Sequence, residues 1–193
     1  NSDGTVLAVG IQLDDADADG SGSLKIYQYS NSDWTQLGSE IIGSGQYDSL
    51  GDSVALSSDG MIVAVCAPYD DGEVRIYQYS NSDWTQLGSS IFGTNGDVLG
   101  DSVALSSDGM IVATGGPAND IDGQSSGVVK VYQYSNSAWT QLGADIGGGA
   151  PSDSTGNKFG TSVSLSSDGT IVAAGAPYNH GALNDDEGRV RVF

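Results

Sequence analysis

The sequence predicts an all-β fold built from repeated antiparallel sheets, and three observations predict it. Residues 50–64 and 99–113 are identical, and residues 159–173 differ from them at four positions. A second motif, Ser-Asn-Ser-(Asp/Ala)-Trp-Thr-Gln-Leu-Gly, recurs around Trp34, Trp84 and Trp139. The chain holds 29 glycines and shows no apolar residues at helical spacing, which favours short strands joined by turns.

Each copy of the first motif predicts a β-hairpin. Val54 and Leu56 alternate with small or polar residues, and residues 61–65 form a short apolar run. The Asp59-Gly60 pair between them favours a tight turn, because glycine accepts the positive φ that such turns require. A hairpin alone is marginally stable in water, so the unit must pack against neighbours.

Two further strands complete each unit. The second unit is predicted to have strands at 53–57, 61–66, 73–79 and 84–87, the last extending toward residue 91. Bulky side chains occupy both faces of the third strand, which is typical of a sheet stacked between two others. Units of about 50 residues with about four strands are typical of radial repeat folds. The predicted fold is therefore a β-propeller of four-stranded antiparallel blades.

The repeats divide the chain into blades of one partial propeller, residues 1–193. Residues 1–49 form a first blade without its innermost strand, 50–98 and 99–158 form complete blades, and 159–193 form a fourth blade without its outermost strand. About three and a half blades are therefore present. A ring closed by these strands alone would leave sheet edges bare. We expect a larger propeller, in which the chain continues into further blades or assembles with other chains.

The charge of the chain limits its partners. The formal net charge is −19, from 25 acidic and 6 basic residues. Nucleic-acid binding requires a basic surface, so it is excluded, and so is adsorption to an anionic membrane. No apolar run is long enough to insert into a membrane. The charge favours a cation such as calcium, although acidic loops also keep β-rich proteins soluble.

Two short motifs bracket each hairpin. In the fourth unit they are Phe159-Gly160 and Gly175-Ala176-Pro177, and in the second unit Leu50-Gly51 and Cys66-Ala67-Pro68. With these motifs repeated in register, the chain resembles the FG-GAP repeats of integrin α subunits and many surface proteins. The resemblance implies a β-propeller that is extracellular or at the cell surface. Family members often bind calcium between the first two strands, but here that connection is only Ser-Ser-Asp-Gly, so those calcium positions do not carry over.

An acidic loop in the first unit has a calcium-type pattern. Asp15, Asp17 and Asp19 stand at alternate positions before Gly20. Calcium prefers several hard oxygen ligands, which alternate carboxylates of a tight loop supply. Ile26 stands where a glutamate would close the usual loop. We predict Asp15, Asp17 and Asp19 as candidate Ca²⁺ ligands, with a solvated acidic loop as the alternative.

The sequence shows little sign of a catalytic site. Cys66 is the single cysteine and is interpreted as a small buried residue rather than a nucleophile. Asp52 and Asp101 follow the Leu-Gly motifs and form a conceivable acid–base pair, but Thr161 takes that place in the fourth unit and no partner base or oxyanion donor is evident. The repeated tyrosines and tryptophans favour packing between blades over a sugar-stacking surface.

These observations predict a non-catalytic extracellular or cell-surface propeller for adhesion or scaffolding, with calcium as a candidate cofactor. The loop between the second and third strands varies most in length among the units. A protein or glycan ligand is therefore expected on that loop face. The alternative is an accessory or carbohydrate-binding propeller module of a larger, enzymatic protein.

Overall fold

All regular structure in the described residues is β. The computed structural model describes residues 1–15, 18–69, 72–94, 96–150, 156–179 and 187–193. Within them, 17 strands form four antiparallel sheets. The prediction of an all-β fold made of several antiparallel sheets is confirmed. The part of the chain that the structure describes contains no helix long and apolar enough to cross a bilayer.

The sheets follow one another along the chain. The first contains β1 (Val6–Ile11), β2 (Ser23–Ser30), β3 (Asp33–Gln36) and β4 (Ile41–Ile42). The second contains β5 (Val54–Leu56), β6 (Ile62–Ala67), β7 (Glu73–Ser80), β8 (Asp83–Gln86) and β9 (Ile91–Phe92). The third contains β10 (Ser102–Leu105), β11 (Ile111–Gly116), β12 (Val128–Ser135), β13 (Ala138–Gln141) and β14 (Ile146–Gly147). The fourth contains β15 (Ser162–Leu165), β16 (Val172–Ala176) and β17 (Arg189–Val192).

The outer strand of the second sheet is interrupted by a bulge. Both β8 and β9 pair with β7, and residues 87–90 lie between them. Gly88 adopts a φ of 76° there, a left-handed conformation that glycine accepts without strain. The sequence predicts one extended strand at this place, because the alternation of side chains does not reveal a bulge.

Apolar clusters between consecutive sheets form the core. The second sheet is buried on both faces, since every residue of β6 is buried. Val63 and Val65 belong to the cluster shared with the first sheet, whereas Ile62 and Ala64 belong to the cluster shared with the third. This is the arrangement expected of stacked sheets.

The repeated tryptophans connect neighbouring sheets. The indole Nε1 of Trp84 donates to the carbonyl oxygen of Leu37 at 2.7 Å, and that of Trp139 donates to Leu87 at the same distance. Trp34, in the first sheet, is exposed. The packing interpretation is therefore confirmed for Trp84 and Trp139.

The hairpin turns also connect the sheets, through a series of backbone hydrogen bonds. The amide of Ser2 donates to the carbonyl oxygen of Ser58 at 3.2 Å. Ser58 in turn donates to Ser107 at 2.9 Å, and Ser107 donates to Ser167 at 2.8 Å. The turns of all four sheets are thus linked in chain order.

The aspartate of the fourth turn is expected to titrate at low pH. The Ser166 hydroxyl, the Thr170 amide and the Thr170 hydroxyl donate hydrogen bonds to Asp168 Oδ1. These bonds lower the pKa of Asp168 to about 2. Since the pKa in the unfolded chain is about 3.9, the ionised turn stabilises the fold above about pH 4, and this stabilisation is lost as the pH falls through about 2.

A carboxyl-carbon NMR titration measures this pKa directly. We expect a midpoint near 2 for Asp168. In a Ser166→Ala variant, which lacks one hydrogen-bond donor, the pKa midpoint should move up toward the unfolded value. A midpoint for Asp168 near about 3.9 in the unaltered chain would contradict the assignment of these hydrogen bonds.

Candidate functional site

The first strands of the sheets lie close together around one cavity. The strands β1, β5, β10 and β15 contact one another in chain order. The cavity has a volume of about 450 Å³ and is lined at the turn end of these strands by apolar and serine side chains. None of the described residues that line it carries a carboxylate, an imidazole or a side-chain amine. The chemically competent groups lie at the opposite end of the same strands.

Two aspartates stand at that opposite end. Asp52 comes shortly before β5 and Asp101 directly before β10, while Thr161 takes this place before β15. Each aspartate follows a glycine with a φ near the left-handed region, 101° at Gly51 and 102° at Gly100. The repeated turn therefore sets the two carboxylates at equivalent positions of neighbouring sheets.

The environment of these carboxylates raises both pKa values. Desolvation raises the pKa of Asp52. Desolvation also raises the pKa of Asp101, the negative charge of Asp52 raises it further, and the positive charge of Lys158 opposes this. A carboxylate that holds its proton more tightly than usual is a stronger base when ionised, which is a common property of acid–base groups in active sites.

Cys66 lies within the electrostatic influence of the carboxylates and takes no part as a nucleophile. It is a free, fully buried cysteine. Burial raises the pKa of its thiol strongly, and the charges of Asp52 and Asp101 raise it further. Since only a thiolate is an effective nucleophile, the interpretation of Cys66 as a small buried residue is confirmed.

Lys158 is the cation whose charge acts on Asp101. The hydroxyl of Thr161 donates to the backbone oxygen of Lys158 at 2.7 Å. The ammonium of Lys158 lies 4.9 Å from the centre of the Tyr178 ring, a cation–π contact. Within the described residues it has no ion-pair partner. Its positive charge therefore acts on Asp101 without a competing ion pair in the described part of the chain.

Most of the other basic residues lie on strands within the sheets. The same repeat position, on β2, β7, β12 and β17, holds a cation: Lys25, Arg75, Lys130 and Arg191. Lys130 is buried, with its ammonium 3.5 Å from Asp97 and 3.7 Å from Asp145. Lys158 stands outside this set, and sequence reasoning missed it. The sequence did single out Lys158, because it occupies the repeat position that holds the uncharged residues Ser49 and Val98 in the other units.

Two of the three predicted calcium ligands accept hydrogen bonds from protein groups. Asp15 accepts the amide of Gly20 at 2.7 Å, and Asp19 accepts the side-chain amide of Gln46 at 3.3 Å. Asp17 lies outside the described residues. No group of three side chains able to hold a metal ion occurs among the residues that the structure describes. Calcium binding stays a prediction, which a rise in melting temperature on adding Ca²⁺ would check.

Comparisons with known proteins show the fold. No protein-family model matches the chain, and no curated protein matches it. A crystal structure of a "putative 6-phosphogluconolactonase" from Bacteroides fragilis is 14% identical, with a TM-score of 0.52 over 76% of this chain and 37% of that chain. A structure of the same description from Bacteroides uniformis is 12% identical, with a TM-score of 0.55 over 90% of this chain and 48% of that chain. The chain thus spans less than half the length of either.

The comparisons overturn two predictions made from the sequence. The chain was expected to be a non-catalytic adhesion or scaffolding module and not an enzyme, yet both solved structures with its fold bear the name of an enzyme. The predictions of a non-catalytic role and of no enzymatic activity are wrong. They rested on the family resemblance, on composition and on the lack of an evident base or oxyanion donor beside Asp52 and Asp101, and a resemblance or a composition does not reveal a local site.

The same comparisons do not test several other predictions. The likeness shows a β-propeller-like all-β fold, whereas the activity in those names is that of the two solved proteins. The resemblance to FG-GAP repeats, the extracellular or cell-surface location and the protein or glycan ligand stay predictions.

Proposed function

We propose that the chain forms about half of a β-propeller with a hydrolytic site at the carboxylate end of its inner strands. In this proposal the four sheets are the blades, about three and a half in number, and the cavity lies on the propeller axis. The linked turns and the shared cavity support the radial arrangement. The likeness to two solved structures, of which the chain covers 37% and 48%, supports the larger ring.

The proposed reaction is the hydrolysis of a lactone of a sugar acid. The observation that carries it is the pair of equivalent aspartates, Asp52 and Asp101, whose pKa values are raised, together with the positive charge of Lys158 that acts on Asp101. Ester hydrolysis needs a base for water and a positive group for the developing oxyanion. These residues supply both, and the lactone is the substrate class in the names of the solved structures.

The roles of the residues follow from their charges. Ionised Asp101 accepts a proton from water while the water oxygen bonds to the carbonyl carbon of the lactone. The carbonyl electron pair moves onto its oxygen, where the ammonium of Lys158 stabilises the negative charge. As the carbonyl reforms, the ring carbon–oxygen bond breaks and Asp101 returns the proton to the leaving ring oxygen. Asp52 does not react, and its charge raises the pKa of Asp101.

The charge of the site favours an uncharged substrate. Two carboxylates and one ammonium contribute to its charge, on a chain whose formal net charge is −19. A phosphorylated sugar lactone would be repelled by this field. We therefore propose an unphosphorylated lactone, in contrast to the phosphorylated one in the names of the two solved proteins.

A comparison of two substrates tests the proposal. The initial rate of acid release is measured for glucono-1,5-lactone and for its 6-phosphate, each corrected for spontaneous hydrolysis. We expect acceleration of the neutral lactone, and a kcat/KM for the phosphorylated lactone at least about tenfold lower, which corresponds to about 1.4 kcal/mol of repulsion. Equal or faster hydrolysis of the phosphorylated substrate overturns the assigned substrate charge, and no acceleration of either overturns the proposed function.

A further inference from the structure

A second cavity lies where the loop between the first and second sheets meets the end of β6. Its volume is about 370 Å³, within the range of small-molecule sites. The described residues that line it come from the loop before β5, from the end of β6 with the loop after it, and from the start of β7: Gln46, Tyr47, Asp48, Ala67, Tyr69 and Glu73. None of them belongs to the proposed hydrolytic site.

Two exposed aromatic rings line this cavity. Tyr47 is 57% exposed and Tyr69 is 60% exposed, and neither lies on a strand. The strand tyrosines that follow the repeat are different, because three of them pack on tryptophans with ring centres 5.2 Å apart. The rings of Tyr47 and Tyr69 are therefore open to a ligand in the cavity.

Tyr47 holds a backbone conformation that suits glycine. Its φ is 63°, in the left-handed region that disfavours any residue with a Cβ. The same repeat position, three residues before the motif that opens the next unit, holds Gly96 with a φ of 75° and Gly156 with a φ of 73°. A half-exposed tyrosine at this place strains the backbone, and such strain is typical of functional positions.

Tyr69 is not required by the repeat either. The third unit has Ala118 at the same position after its proline. The packing of the sheets therefore requires a large ring neither at this position nor at that of Tyr47. The first and second sheets are the place where the chain combines the two rings at one cavity.

A buried guanidinium holds the two carboxylates that line the cavity. Arg75 is 7% exposed, and its Nη2 lies 3.6 Å from Asp48 and also pairs with Glu73. The amides of Ser44 and Gly45 each donate to Asp48 at 2.8 Å. In the described part of the chain these bonds use Oδ2 of Asp48 and Oε2 of Glu73. The second oxygen of each carboxylate keeps its capacity to accept a hydrogen bond.

This combination of groups fits a neutral sugar. The C–H face of a sugar ring is apolar and packs on an aromatic ring, which offers a large and rigid contact surface. Sugar hydroxyls donate strong hydrogen bonds to carboxylate oxygens that are already held in place. An anionic sugar is disfavoured, because the chain carries a formal net charge of −19.

We propose that the cavity between Tyr47 and Tyr69 binds a neutral saccharide, with a sugar ring packed on a tyrosine and hydroxyls donated to Asp48 and Glu73. The site lies on residues separate from Asp52, Asp101 and Lys158. Binding here therefore does not depend on the proposed hydrolysis, and it is measured without any lactone.

A titration of backbone amide NMR signals tests the proposal. Glucose, galactose, mannose, cellobiose, maltose and lactose are each added up to about 20 mM, since weak sites have dissociation constants in the millimolar range. We expect at least one of them to shift the amide signals of Tyr47, Tyr69 and Glu73 in a saturable way. Tyr69→Ala, which removes one ring, should weaken this binding about tenfold.

Tyr47→Gly separates a binding role from a structural one. It should also weaken binding about tenfold, yet melt at the same or a higher temperature than the unaltered chain, because glycine accepts the left-handed conformation without strain. A tyrosine kept only for packing would instead lower the melting temperature when removed. The matched control is Tyr29→Ala, which alters a 45% exposed tyrosine near the far end of β2 and should leave binding unchanged.

Tetramethylammonium is the competing probe, because aromatic rings beside carboxylates also bind organic cations. Amide shifts with tetramethylammonium but with none of the six saccharides would assign the cavity to a cation and overturn the proposal. No saturable shift with any saccharide would also overturn it. Saccharide binding that survives both Tyr47→Gly and Tyr69→Ala would place the sugar elsewhere on the chain.

Discussion

Asp101→Asn is expected to lower the rate of lactone hydrolysis by about 10²- to 10⁴-fold, the usual contribution of a general base. Asparagine has nearly the shape of aspartate but cannot accept the proton from water. Because the pKa of Asp101 is raised in the folded chain, its ionised form disfavours folding. The variant should therefore melt at the same or a slightly higher temperature than the unaltered chain at neutral pH. Lower activity with undiminished stability separates a catalytic role from a structural one.

Asp52→Asn is the matched variant for this measurement. It removes a charge that raises the pKa of Asp101, so the acid limb of the pH–rate profile should move to lower pH while most of kcat remains. The base must be ionised to act, and the rate therefore rises as the pH passes the pKa of Asp101. An Asp101→Asn variant that retains the full rate, or an Asp52→Asn profile with an unmoved acid limb, would contradict the assigned roles.

Much of the fold is predictable because the same local sequence pattern occurs in several repeats. Alternating Val54 and Leu56, the Asp59-Gly60 turn and the apolar run after it recur in register. A pattern that recurs three times is informative where a single short apolar run is ambiguous. The bulge at residues 87–90 was not predictable in this way, because a bulge changes hydrogen bonding without changing the alternation of side chains.

The candidate site was only half visible in the sequence. Asp52 and Asp101 stand out because they follow the same motif, but their partner Lys158 belongs to another unit, far along the chain from Asp101. The curvature of the sheets around the cavity brings the charge of Lys158 to bear on Asp101, and no local pattern encodes that curvature. The function was misjudged for a related reason, since the family resemblance and the composition describe the whole chain, whereas a site is a local exception.

The contact between consecutive sheets depends on glycines that tolerate no side chain, and Gly127 gives the clearest case. Its φ is 81°, and an added Cβ would lie 2.0 Å from the backbone oxygen and 2.4 Å from the backbone nitrogen of Phe159. Phe159 is fully buried. It forms an isolated parallel β-bridge with Gly127, which joins the third and fourth sheets. Backbone at such a place cannot shift without separating the two sheets.

Gly127→Ala is therefore expected to destabilise the fold by about 3 kcal/mol or more, in the range caused by backbone strain together with overpacking. Gly143→Ala is the matched control, because Gly143 has a φ of 72° and no atom within 4 Å of the added Cβ. It carries only the left-handed penalty of about 1 kcal/mol. At equal protein concentration, urea unfolding should separate the two variants by about 2 kcal/mol, which corresponds to about 4–8 °C in melting temperature. Equal unfolding free energies for the two variants would mean that the backbone can shift at this contact. The apolar clusters alone would then stabilise the stacking of the sheets.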